Sequence, residues 1–238
     1  MAILFNVKQP PSFSPVDFEG LYFWLKSDTG VTFSEGTTVD YWYDQSENSF
    51  VFGTSGGGPQ LVSNELNGYP AVVFNGTNDR ISLGGSSPGL GTWFLVYKVN
   101  NITSGGSIFM TYGGIYNESY CVDPTQTELL WVHQAEHKEC SYPAVIGDGV
   151  YTVASITFNT LGNISAIYEN GALRTSCDNI NFLNLGTTHI AYGQPPGTGT
   201  NSYVPLSLVE MVYYKENYLS DSDRQTVESY LNSKYSIY

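Results

Sequence analysis

His133-Gln-Ala-Glu-His137 is the first stretch whose residue types could do chemistry. It matches His-x-x-Glu-His, in which two imidazoles on one face of a helix hold zinc beside a glutamate, with a further carboxylate as ligand. Leu129-Leu-Trp-Val132 ahead of it and Cys140-Ser-Tyr-Pro143 behind it read instead as strand and turn. The match is therefore taken as coincidence, with a structural zinc site from His133, His137 and Cys140 as the lesser alternative. His189 reads most simply as a strand-end residue.

Three further groups carry candidate chemistry. Asn78 and Asp79 offer hard oxygens of the kind calcium takes, on a turn where the competing reading is that Asp79 caps backbone N–H groups. The capping reading is favoured there and for Asp28 and Asp44. Tyr112, Tyr116, Tyr120 and Trp131, interleaved with Asn117, Glu118 and Asp123, supply an aromatic plate beside amides and carboxylates, the types that hold sugar hydroxyls. Against that stands the 15% aromatic content, since many rings must cover the sheet or a subunit interface. Gly56-Gly-Gly58 is a loop and no phosphate cradle, because no Lys-Ser/Thr and no helix pattern follow it.

Cys121, Cys140 and Cys177 are an odd count and no disulfide framework. The expectation is free thiols, with a Cys121–Cys140 pair across one hairpin as the alternative. The net charge of −13, with only 9 Lys plus Arg, excludes nucleic acid and anionic membranes as partners, since both would be repelled. No apolar run approaches the roughly 20 residues of a membrane helix, and Met1-Ala-Ile-Leu-Phe5 lacks the basic start and long apolar run of a secretory signal. These features predict a soluble protein made in the cytoplasm.

The elements that must position these groups are short strands. With 25 Gly, 11 Pro and 41% hydrophobic residues in 238, the chain reads as one all-β domain with a full core. Residues 1–17, with Pro10, Pro11 and Pro15, form an extended arm or edge strand; 18–238 form the domain. Asn67 to Leu83 reads as two strands joined by an Asn/Gly/Asp corner, the first apolar on both faces and placed centrally. Thr92 to Tyr97 is a strand buried on both faces, and Val39-Asp-Tyr-Trp-Tyr43 alternates. Tyr151 to Phe158 and Ile164 to Glu169 form a hairpin-like pair, and Asn170-Gly171 is the dipeptide of a type I′ turn. Ser220-Asp-Ser-Asp223 starts one short helix whose Val227, Tyr230, Leu231 and Tyr235 share a face.

Taken in order, these pieces resemble the concanavalin A-like (laminin-G/pentraxin-like) jelly-roll family, particularly versions in phage and bacterial surface proteins. The likeness lies in Leu21 to Asp44, in Asn67-Gly-Tyr-Pro-Ala-Val-Val-Phe-Asn-Gly-Thr-Asn-Asp-Arg-Ile81, in Ile167-Tyr-Glu-Asn-Gly-Ala-Leu173, and in the last strand and helix over Val209 to Ile237. It implies a two-sheet antiparallel jelly-roll sandwich with one short C-terminal helix, whose loops in relatives often bind carbohydrate, sometimes with calcium. Glucanases of this fold carry a Glu-x-Asp-x-x-Glu strand; no such triplet occurs among the 22 acids, so no catalytic residue is assigned. The resemblance points to a non-enzymatic phage virion surface protein, a capsid decoration or fibre component assembled in the host cytoplasm. It would display a lectin-like domain for glycan or host-surface binding, attach to other virion proteins through the arm, and could form a homo-oligomer. A purely structural subunit-contact module and a carbohydrate-active enzyme are the alternatives.

Overall fold

The computed structural model describes residues 13–84, 91–101, 106–112, 117–123, 128–133, 138–143, 149–159, 164–178, 187–192, 203–216 and 219–238. The seventeen strands among the described residues fall into two antiparallel sheets, and the chain moves between them repeatedly. After a 3-10 turn at Pro15–Asp17, β1 (Leu21–Lys26) enters the first sheet, and β2 (Val31–Thr32), β3 (Tyr41–Tyr43) and β4 (Val51–Thr54) enter the second. β5 (Gln60–Leu66) and β6 (Tyr69–Asn75) return to the first, β7 (Ile81–Leu83) joins the second, and β8 (Gly91–Val99) the first. β9 (Gly106–Tyr112), β10 (Asn117–Asp123), β11 (Glu128–His133) and β12 (Lys138–Pro143) extend the second sheet. β13 (Thr152–Asn159), β14 (Ile164–Glu169) and β15 (Ala172–Asp178) extend the first; β16 (Thr187–Tyr192) then completes the second and β17 (Pro205–Lys215) the first. The helix α1 (Asp221–Tyr235) follows.

The first sheet runs β15-β14-β13-β8-β17-β6-β5, with β1 also paired to β17; the second runs β12-β11-β10-β9-β16-β7-β4-β3-β2. All-β, two-sheet and antiparallel with one C-terminal helix, this is the jelly-roll sandwich the sequence predicts. Alternation sets the layers. On β8, Trp93, Leu95, Tyr97 and Val99 face the second sheet, while Phe94 and Val96 face α1. Both faces of β8 are thus buried, which is why its sequence reads as an unbroken apolar run. On β17 the inward residues are Leu206 and Leu208, then Met211 and Tyr213, because a register shift between Leu208 and Glu210 inserts an extra residue and flips the parity. Each fully buried Phe or Leu of this core contributes roughly 1.5–3 kcal/mol.

Helix α1 covers the outside of the first sheet. Ser220 caps it by accepting the Asp223 N–H at 3.2 Å, as the Ser-Asp-Ser-Asp pattern predicts. Val227, Tyr230, Leu231 and Tyr235 pack onto Phe94, Val96, Val212 and Tyr214. Two buried carboxylates fasten it. Glu210 accepts from Trp24 Nε1 at 2.6 Å, Lys234 Nζ at 2.7 Å and Tyr235 OH at 2.5 Å. Glu228 accepts from Ser155 Oγ and Arg224 Nη1, both at 2.5 Å, and the Arg224 guanidinium lies 3.6 Å from the Tyr168 ring centroid. Phe13 packs on Phe18 and Tyr230, and Pro15 O accepts from Tyr214 OH at 2.8 Å, so the described end of the arm lies against this same layer.

Two expectations change. Asn67 to Leu83 does hold two strands, but they do not pair: β6 sits between β17 and β5, one strand in from the edge, and the Asn75–Arg80 corner carries the chain across to the second sheet. The cysteine pairing is also different. Cys140 on β12 is bonded to Cys177 on β15, with Cα atoms 5.7 Å apart, and buried Cys121 takes no part. β12 and β15 are the last strands of the two sheets, so the bond joins the sheets along one edge. Cys121 and Cys140 sit two strands apart in one sheet, β11 lying between them. The Asn170-Gly171 turn is as read, with φ of 51° and 77°.

Candidate functional site

The aromatic-rich stretch comes together only in part. Tyr112 ends β9 and pairs with Asn117 at the start of β10; Glu118 pairs with Thr111 and His133, and Trp131 with Tyr120 and Cys140. The side chains of Tyr112, Asn117, Glu118 and Trp131, and all of Tyr116, lie outside the described residues. Tyr120 is no exposed plate. It is fully buried between the sheets, its hydroxyl 3.0 Å from that of Tyr97 and 2.9 Å from that of Tyr142.

That buried trio surrounds an acid. Glu169 accepts from Tyr142 OH at 2.7 Å and from Tyr97 OH at 3.4 Å, and Arg174 Nε stands 3.4 Å from its other oxygen outside hydrogen-bond alignment. Burial raises its pKa, and the tyrosines and Arg174 pull it back only in part. Among the described residues three glutamates are buried, Glu169 in the space between the sheets and Glu210 and Glu228 in the layer between the first sheet and α1.

At the corner, Asn75 Oδ1 accepts from the N–H groups of Thr77 and Asn78, and Asp79 Oδ2 accepts from Asn75 N–H at 2.9 Å. This is the capping geometry. Asp79 Oδ1 is buried without a hydrogen-bond partner, and burial raises the pKa of the carboxyl. Asn78 Oδ1 and Asp79 Oδ1 both lean on Gly57, where a Cβ would come within 2.4 and 2.5 Å of them. They are two hard oxygens of the six to eight that calcium takes. Among the described residues no group of three or more His, Cys, Asp or Glu converges. Asp44 caps likewise, its carboxylate accepting from Trp24, Ser46 and Phe50 N–H groups and from Ser46 Oγ. Asp28 differs, pairing with Lys26 and Lys234, each at 3.7 Å. His133 ends a strand, β11, and His137 lies outside the described residues.

The arrangement that sequence reading missed is on the outer face of the second sheet. Trp42 points inward, fully buried, so its neighbours Tyr41 and Tyr43 point outward, 49% and 41% exposed, with ring centroids 6.3 Å apart. Register places Thr32, Tyr41, Gly53, Ser82 and His189 side by side across five strands. Gly53 leaves a gap in that row: a Cβ there would meet only the Tyr41 ring, at 3.8 Å. Beyond the gap, Ser82 Oγ is 2.7 Å from His189 Nδ1 and 3.4 Å from Ser55 Oγ, which accepts from Arg80 Nε at 2.8 Å. Burial, and then the Arg80 charge, push His189 down to about 4, so the imidazole is neutral at pH 7. His189 lies within β16 and not at a strand end. The alternation Tyr41-Trp42-Tyr43 was the one local signal of this face; the Ser82–His189 contact spans 107 residues and has none.

No protein-family model and no curated protein matches the sequence. Solved structures do. The botulinum neurotoxin serotype D binding domain superposes with a TM-score of 0.60 at 14% identity, covering 88% of this chain and 50% of that one. The receptor binding domain of botulinum neurotoxin D gives 0.58 at 15%, covering 91% and 53%. A Ruminococcus gnavus IT-sialidase CBM40, bound to α2,3-sialyllactose, gives 0.48 at 16%, covering 60% and 84%. The chain spans about half the length of the toxin chains. At such identities what is shared with them is the fold.

Proposed function

We propose that this chain is a non-catalytic, lectin-like domain of concanavalin A-like type that binds glycans. The observation that carries the reading is the solvent-facing row of the second sheet, where exposed Tyr41 stands across the Gly53 gap from the hydroxyl and imidazole of Ser82 and His189, with the Arg80 guanidinium beside them. An aromatic surface with a few convergent polar groups is the usual make-up of a small-ligand site. The receptor binding domain of botulinum neurotoxin D, of like fold, supports it by analogy alone.

The Ser82–His189 pair supports binding over catalysis. A general base works best when its pKa is near the operating pH, and an imidazole held near 4 is too weak a base at pH 7 to activate a serine. Nor can Glu169 pair with Glu210 or Glu228 as glycosidase carboxylates do, since the first sheet separates them. Binding of the purified protein to glycan arrays and to host cells is the test; no binding to any glycan or envelope overturns it.

The setting we assign, on the sequence resemblance, is a phage virion surface, as a capsid decoration or fibre component with residues 1–17 attaching it to other virion proteins. Deleting those residues tests the arm: particles that still incorporate the shortened protein would show that the anchor lies elsewhere. Exposed Phe33, Tyr41, Tyr43 and Val51 also suit a subunit contact, which sedimentation of the purified protein separates from ligand binding.

A further inference from the structure

We infer that the Gly53 gap is a subsite for one neutral hexopyranose, stacked on Tyr41 and hydrogen-bonded by the hydroxyl row beyond it. This rests on the glycan-binding reading and names its place and ligand class. Gly53 lies between Tyr41 on β3 and Ser82 on β7, so the ring and the hydroxyl are two interstrand spacings apart, about 10 Å. A pyranose has an apolar C–H face and an edge of hydroxyls. The first matches the face of Tyr41, whose π cloud attracts C–H groups; the second matches Ser82, Ser55 and neutral His189, which can each donate or accept. The absent Gly53 side chain is what lets the sugar sit down between them.

Charge selects a neutral sugar. The chain carries −13 with only 9 Lys plus Arg, so sialylated or sulfated glycans are repelled at range. The one cation described in this row, Arg80, is tied by its Nε to Ser55.

Gly53 has ordinary strand dihedrals and space for a side chain, so Gly53→Val keeps the fold while its methyls fill the gap. Tyr41, half exposed, can lose its ring in Tyr41→Ala without opening the core. The experiment titrates wild type, Gly53→Val, Tyr41→Ala and Tyr41→Phe against neutral gluco-, galacto- and manno-oligosaccharides and their sialylated or sulfated counterparts, with melting temperatures measured alongside. The expected result is wild-type binding to a neutral panel member, a loss of about tenfold or more in Gly53→Val and Tyr41→Ala, and retention in Tyr41→Phe. Binding of charged glycans alone, or neutral binding untouched by both disruptive variants, overturns this subsite and leaves the glycan-binding reading standing. Binding to no glycan overturns that reading itself.

Discussion

His189 and Glu169 are both pushed toward neutrality by burial, and their effects on stability run in opposite directions with pH. His189 falls from its ordinary 6.5 to about 4, so the stability it supports is whole above pH 6.5 and is lost as pH drops toward 4. That fall bounds the loss on the order of 3 kcal/mol. Denaturant titrations between pH 7 and 4 should show the loss in wild type and a flatter profile in His189→Gln. Glu169 is raised above its ordinary 4.5, so its favourable contribution is present below pH 4.5 and disappears as pH rises through the folded value. Glu169→Gln should therefore be more stable than wild type at pH 7, and a less stable variant would mean that the Arg174 pair outweighs burial. Neither residue announced itself in the sequence. The sequence did reveal Asp79 as a cap and Asp44 in part, because an Asx side chain bonds backbone N–H groups a few residues away, whereas the Asp44 bond to Trp24 N–H, 20 residues back, has no local sign.

At the scale of elements, α1 was legible from its cap and its apolar face, whereas its fastening was not. Glu210 stands in the apolar run Leu206 to Tyr214, and nothing local says that Trp24, Lys234 and Tyr235 converge on it. Removing one member of a buried charge pair leaves the rest unpaired, so Glu210→Ala should cost about 3–5 kcal/mol. Amide hydrogen exchange should then quicken in α1 before it does in β8, because the helix loses its anchor while the inter-sheet core keeps its packing. Uniform quickening would place the damage in the sheet. Strand existence was legible from alternation. Which sheet each strand joins was not, as β6 and β7 illustrate: a corner that reverses the chain and one that crosses between layers use the same Asn, Gly and Asp residues.

For the whole molecule, the Cys140–Cys177 bond is the feature that spacing could not give, since the two residues meet only once both sheets are assembled edge over edge. It closes a loop of 37 residues, for which lost chain entropy in the unfolded state predicts about 4 kcal/mol. Cys177→Ser, or wild type in reductant, should lose roughly that amount in urea unfolding while Cys121→Ser stays insensitive to that bond.

The three layers also give the molecule a front and a back. Phe13 and Tyr238 both rest on the helix side, Phe13 against Tyr230 and Tyr238 against Asn232 and Gly171, whereas the Tyr41 row looks out from the far sheet. A carrier or tag joined after Tyr238 would therefore leave from the helix side, and the tyrosine face would remain presented on the opposite side.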